Sequence, residues 1–219
     1  IKLSLDVVAM RSFDKSFAAN PDAEKADPYV FTVGVPWTHR TTLGGKGYFF
    51  DLTPGYETIV MNLDGNSSKA IVNSTKLDMN NTLVVNRRWI AKGDYSFSLN
   101  DASILGDETG ADSFGAGLKL SSIFILDKDL ERYLIPEFAY SINNANDSTY
   151  AYSRSDIAVS YSTRILGMFL WNSRLGYYIA NYKSTRVDNN YSLSSGLSYR
   201  INSHWDWGLN GAYTINDSN

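Results

Sequence analysis

The chain has 219 residues, 43% of them hydrophobic, 14% aromatic and 20% charged, with 15 Tyr and no Cys. Its formal net charge of −3 leaves no basic excess to neutralise phosphates, which argues against a dedicated nucleic-acid binder. The lack of Cys excludes disulfides and thiolate metal sites, and the longest apolar run, Ile165–Trp171, falls far short of the roughly 20 residues a membrane-spanning helix needs.

Period-two alternation dominates the chain, as expected of strands with one apolar face. It opens with Ile1, Leu3, Leu5 and Val7 against Lys2, Ser4 and Asp6. The charged segment Ser12–Pro28 follows, where Asn20-Pro21 with Glu24 fits the cap of one short helix. Tyr29, Phe31, Val33, Val35 and Trp37 then alternate with Thr32, Gly34 and Thr38. Gly44-Gly45-Lys46-Gly47 reads as a turn, because the Ser/Thr and helix of a phosphate-binding loop do not follow. Between Gly45 and Ile90 the alternation is lost. There Tyr48-Phe49-Phe50, Ile59-Val60-Met61 and Leu83-Val84-Val85 are expected as short strands, and Ala91–Asp94 as a short connection.

The second half is more regular. Ala116, Leu118 and Leu120 oppose Gly115, Gly117, Lys119 and Ser121; Leu134, Phe138, Tyr140 and Ile142 oppose Glu137, Ala139 and Ser141. Pro136 predicts a bulge or a locally unpaired stretch. Ile157, Val159, Tyr161 and Ile165, then Leu175, Tyr177 and Ile179, continue the pattern on either side of a short link at Leu166–Leu170. Leu193, Leu197, Tyr199 and Ile201 are joined through a tight turn at Asn202–His204 to Trp205, Trp207, Leu209, Tyr213 and Ile215. Asp107–Ser113, Asn143–Arg154 and Lys183–Asn190 are polar connectors, so long and short connections alternate. No linker or repeat divides the chain, and residues 1–219 are expected to form a single domain.

The face opposite the apolar one is rich in Ser, Gly, Ala, Asn and Thr, with few charges. A water-facing surface would carry more charge, whereas small polar residues suit an enclosed hydrophilic lumen. Tyr133, Trp171, Tyr177, Tyr199, Trp205 and Trp207 lie near the short turns, as interfacial rings of a membrane barrel would. In these features, and in the hairpin Leu197–Tyr213, the chain resembles bacterial outer-membrane β-barrel proteins of the porin-like class. The resemblance implies an all-β fold, an antiparallel up-and-down transmembrane barrel of about 12 strands, within a range of 10–14. It also implies an outer-membrane location, lipid and lipopolysaccharide as surroundings, and a homo-oligomer or partner protein as possible associates. By the parity of connections the strand from Trp205 is expected to run outward, so either a returning strand is lacking from the sequence or the parity is misassigned. The competing expectation, a secreted sandwich, rests on Asn-x-Ser/Thr triplets at Asn66, Asn73, Asn80, Asn146, Asn190 and Asn216.

Charge on the polar face gives the sharpest functional expectation. Arg164, Arg174 and Arg200 with Lys119 are expected inside the barrel near the short turns, where fixed positive charge would favour anions. Alternatively they brace the wall by pairing with Glu137, Asp156 and Asp206. The first expectation makes the chain a passive channel for small polar or anionic solutes, without a cofactor. The second suits a non-conducting barrel that holds a partner in its lumen or on its outer loops. His39 and His204 sit near strand ends, with no Ser or acid at hydrolase spacing, so a lipid hydrolase is the weakest reading. Asp107-Glu108 with Asp112 would suit divalent ions at an outer loop, while Asp127, Asp129 and Glu131 read as a solvated turn. Arg87-Arg88-Trp89 fits an anionic headgroup interface or an ordinary strand end.

Overall fold

The computed structural model of the chain describes residues 4–9, 27–62, 68–102, 112–127, 129, 131–148, 150–200 and 206–218. They form one antiparallel sheet of twelve strands: β1 (Ser4–Ala9), β2 (Asp27–Gly34), β3 (Trp37–Leu43), β4 (Lys46–Asn62), β5 (Ser68–Asn86), β6 (Trp89–Ala102), β7 (Ser113–Ile125), β8 (Arg132–Ala145), β9 (Tyr152–Ile165), β10 (Phe169–Tyr182), β11 (Val187–Arg200) and β12 (Asp206–Ser218). β2 and β3 lie end to end along β4, joined where the Val35 N–H donates to the Pro54 carbonyl at 3.0 Å. The twelve strands therefore fill eleven positions, in chain order and without crossover. The sheet is open, with β1 and β12 at its edges. Since neighbours alternate in direction, these two edge strands run the same way.

Tight turns set the register at one end. Leu43 pairs with Lys46 across Gly44 (φ 57°) and Gly45 (φ 75°), whose left-handed conformations match the strand twist. Between β9 and β10 the Met168 N–H donates to the Ile165 carbonyl at 3.2 Å around Leu166 (φ 52°) and Gly167 (φ 68°), a type I′ turn that forces a leucine into left-handed space. The β5–β6 turn is Arg87-Arg88, so Ala91–Asp94 lies inside β6 and is not a connection. Between β7 and β8, Asp127 Oδ1 accepts the backbone N–H groups of Glu131 (2.9 Å) and Arg132 (3.3 Å), which gives this acidic stretch a turn-closing role.

The middle of the chain departs furthest from expectation: three short runs prove to be parts of β4 and β5, of 17 and 19 residues. Register shifts at Ile59/Val60 and Val84/Asn86 disturb the alternation there. β8, β9 and β11 also extend into segments expected as polar connectors, leaving 146–151 and 183–186 between strands. Pro136 behaves as anticipated. Lacking an N–H, it interrupts the β7–β8 register between Ser121↔Glu137 and Phe124↔Leu134, while it stays in register with Val159 of β9. The short helix expected near Asn20-Pro21 and the turn at Asn202–His204 lie outside the described residues.

The sheet has no ordinary core. Among the described residues the buried hydrophobic ones are Ala145, Ala151, Ala158 and Ala180, and no large side chain is fully buried. On β9, Ile157 and Val159 are 59% and 40% exposed, while Ala158 between them, on the polar face, is 6% exposed. From β6 to β12 the register gathers Leu, Ile, Val, Phe, Tyr and Trp on one face. The charged residues of that face, Asp101, Arg132 and Asp217, stand at or next to strand ends.

Candidate functional site

The opposite face carries the charges, and β7–β10 concentrate them. Lys119, Glu137, Asp156, Arg164 and Arg174 all fall on it by register. Glu137 is the hub: Lys119 Nζ lies 2.7 Å from its Oε1, and Arg174 Nη1 bonds its Oε2. Arg174 Nη1 also reaches Ser160 Oγ at 3.3 Å. The Glu137–Arg174 bridge crosses β9, where Ala158 is in register with both Glu137 and Gly176. Small side chains beneath are what allow an ion pair to span two strands.

The other expected residues separate. Arg164 Nε pairs with Glu131 Oε1 at 3.0 Å, a turn partner that sequence reasoning did not assign to it. Asp156 binds Arg154 (Nη2–Oδ1 2.5 Å), while Arg164 and Arg174, expected to meet it, pair with Glu131 and Glu137. Arg200 is in register with Asp206 at the short-turn end. Of the aromatic set, Trp171, Tyr199 and Trp207 lie on the apolar face near the short turns; Phe169 packs on Tyr199 at 5.2 Å and Trp171 on Tyr161 at 5.9 Å. Tyr177 is on that face too, but at its other border, packed on Tyr191 at 4.8 Å and donating to Asn189 Oδ1 at 2.9 Å. Tyr133 belongs to the polar face, in register with Ser162, so it is not part of an apolar-face girdle. Trp205 and His204 lie outside the described residues. His39 stacks on Trp37 at 5.8 Å.

A second polar-face cluster, at the end away from the short turns, escaped sequence reasoning. The Arg154 guanidinium lies 3.8 Å from the Tyr178 ring centre, and that of Arg186 lies 4.8 Å from Tyr182, which packs on Tyr152 at 5.5 Å. Arg186 forks onto Asp188 through Nε (2.8 Å) and Nη2 (2.6 Å), and these hydrogen bonds push its pKa further above the ordinary value. The available signal was the Arg-x-Asp spacing at 154–156 and 186–188, which places both partners on one face of β9 in the first case and sets Arg186 just before β11 on the side of Asp188 in the second.

Near the short turns, a cavity of about 550 Å³ opens on the polar face beside Arg174. Tyr133 and Ile135 of β8 form one side; Ser160, Ser162 and Asn172 continue its floor across β9 and β10. Among the described residues no group of three or more His, Asp or Glu side chains is arranged to hold a metal ion. Comparison with protein-family models and with curated proteins finds no match to this chain.

Proposed function

We propose that the sheet closes into a β-barrel in a bacterial outer membrane, with its apolar face against lipid and its polar face around a water-filled path for small polar or anionic solutes. The observation that carries this reading is the inverted burial: bulky apolar side chains are exposed while Ala145, Ala158 and Ala180 on the polar face are covered. Each bulky side chain removed from water contributes about 1.5–3 kcal/mol, so a face of this size left in water would forfeit most of the drive to fold. Hydrocarbon removes that difficulty. The length agrees, since the apolar positions of β10 run from Phe169 to Ile179, about the 9–11 residues with which a tilted strand crosses a bilayer. Closure needs β1 and β12 brought together; as they run in the same direction, either they form a parallel seam or one further strand lies between them.

The charge preference rests on Arg174, whose guanidinium stands beside the cavity on the path; Glu137 binds both Arg174 and Lys119, and Asp94 is in register with Lys119, so the cluster as a whole is charge-balanced. The test is conductance across a planar bilayer under a KCl gradient. An ion current with chloride preference that falls in Arg174→Glu is expected; a folded, inserted protein that passes no current rejects the channel in favour of a closed barrel that acts through binding.

A further inference from the structure

The polar face is not uniformly polar. One row of the sheet runs in register from Val84 (β5) through Ile90 (β6) to Ile123 (β7). Across the gap beside Pro136 in the β7–β8 register, Ile135 on β8 stands level with Ile123, bracketed by the pairs Ser121↔Glu137 and Phe124↔Leu134, and its own register continues to Ser160 and then Arg174. Four β-branched apolar side chains on adjacent strands thus lead up to a guanidinium on the face that would line the lumen. The cavity beside Arg174 opens where this stripe ends, with Ile135 and Tyr133 on the apolar side and Ser160 and Asn172 on the polar side. A path for simple ions has no use for such a stripe, because apolar walls repel water and hydrated ions alike.

We propose that this row binds amphipathic carboxylates: a monocarboxylate whose apolar tail lies along Ile135, Ile123 and Ile90 while its carboxylate meets Arg174. The inference rests on the channel reading and names its solute class. Adjacent strands are about 4.8 Å apart, so the stripe from Ile135 to Ile90 accepts a tail about 10 Å long. Arg174 spends Nη1 on Glu137 and Ser160, and its Nε and Nη2 are further donors for a second carboxylate. Glu137 keeps the guanidinium in place and repels a ligand lacking the apolar tail, since a carboxylate alone does not repay that repulsion.

The test compares block of the KCl current in planar bilayers by 4-phenylbutyrate and by acetate. Each buried CH2 is worth roughly a fourfold gain in affinity, so half-block by phenylbutyrate is expected at a concentration at least about tenfold below that for acetate. Ile123→Asn should remove this difference in a protein that still conducts KCl; Ile123→Leu should retain it, which separates tail binding from damage to the fold. Arg174→Gln should weaken phenylbutyrate block. Equal block by the two anions in a conducting protein, or an Ile123→Asn variant that still discriminates, overturns the proposal and leaves the channel standing. Absence of any current overturns the channel itself.

Discussion

Leu175 offers the most direct test of which medium the apolar face meets. It sits midway along the apolar positions of β10, in register with Val159 and Leu193, and is 62% exposed. If that exposed area faces hydrocarbon, Leu175→Arg puts a guanidinium near the bilayer midplane at a cost of about 2–4 kcal/mol, a shift of roughly 30- to 1,000-fold in the folding equilibrium. If the area faces water, an exposed substitution away from caps and pairs changes stability by about 0.5 kcal/mol or less. Ile165, the last residue of β9 beside its turn, is the depth control; Arg there should cost only about 0–1 kcal/mol, because its side chain reaches the interface. Urea titration of the protein folded into lipid vesicles, followed by tryptophan fluorescence, gives both values. A pair of near-equal losses under about 0.5 kcal/mol would refute the lipid-facing assignment whatever the conductance experiments gave.

Three further outcomes follow from local geometry. Glu137→Gln unmasks Lys119 and Arg174; removing one negative charge about 7 Å from ions in water favours chloride and disfavours potassium by about 0.6 kcal/mol each, so the chloride-to-potassium permeability ratio should rise roughly sevenfold in reversal-potential measurements. Ala158→Leu forces bulk beneath the bridge that crosses β9 and should cost about 1–3 kcal/mol in the vesicle titration, whereas a bridge resting on open space would tolerate it. Leu166 holds φ 52° with its side chain 79% exposed; left-handed backbone costs a leucine about 1–2 kcal/mol, so Leu166→Asn should stabilise the protein by about 1 kcal/mol in the same titration, and a loss of stability would show that the turn is held by its side chain.

The sequence was legible where one face is uniformly apolar and the other uniformly small. In β9 to β12, Ile157, Leu175, Leu193 and Leu209 alternate with Ala158, Gly176, Ser192 and Gly208, and the register agrees with the alternation. It failed from β4 to β6 for an identifiable reason. Phe49, Val84 and Ile90 occupy polar-face positions, in register with Thr82, Ile90 and Val84, so apolar residues adjoin apolar residues and the period of two disappears into runs of three. Reading those runs as short strands mistook two-sided apolar character for a brief element. The same confusion put a connection at Ala91–Asp94, where Ala91 and Gly93 are small residues of the apolar face.

The candidate site divides along the same physical line. Placement on a face depends only on parity, and parity put Lys119, Glu137, Asp156, Arg164 and Arg174 together. Partner choice depends on reach and on what lies between, which parity does not contain. Arg174 reaches Glu137 two strands away because Ala158 and Ser160 keep the surface of β9 low; Asp156 never becomes available to it, since Arg154 stands two residues away on the same strand. Arg164 lies next to a turn, where the start of β8 brings Glu131 within 3.0 Å. The smallest residues of the polar face therefore decide which of its charges meet, and substitutions at Ala158 or Gly176 should alter ion preference as surely as substitutions of the charges themselves.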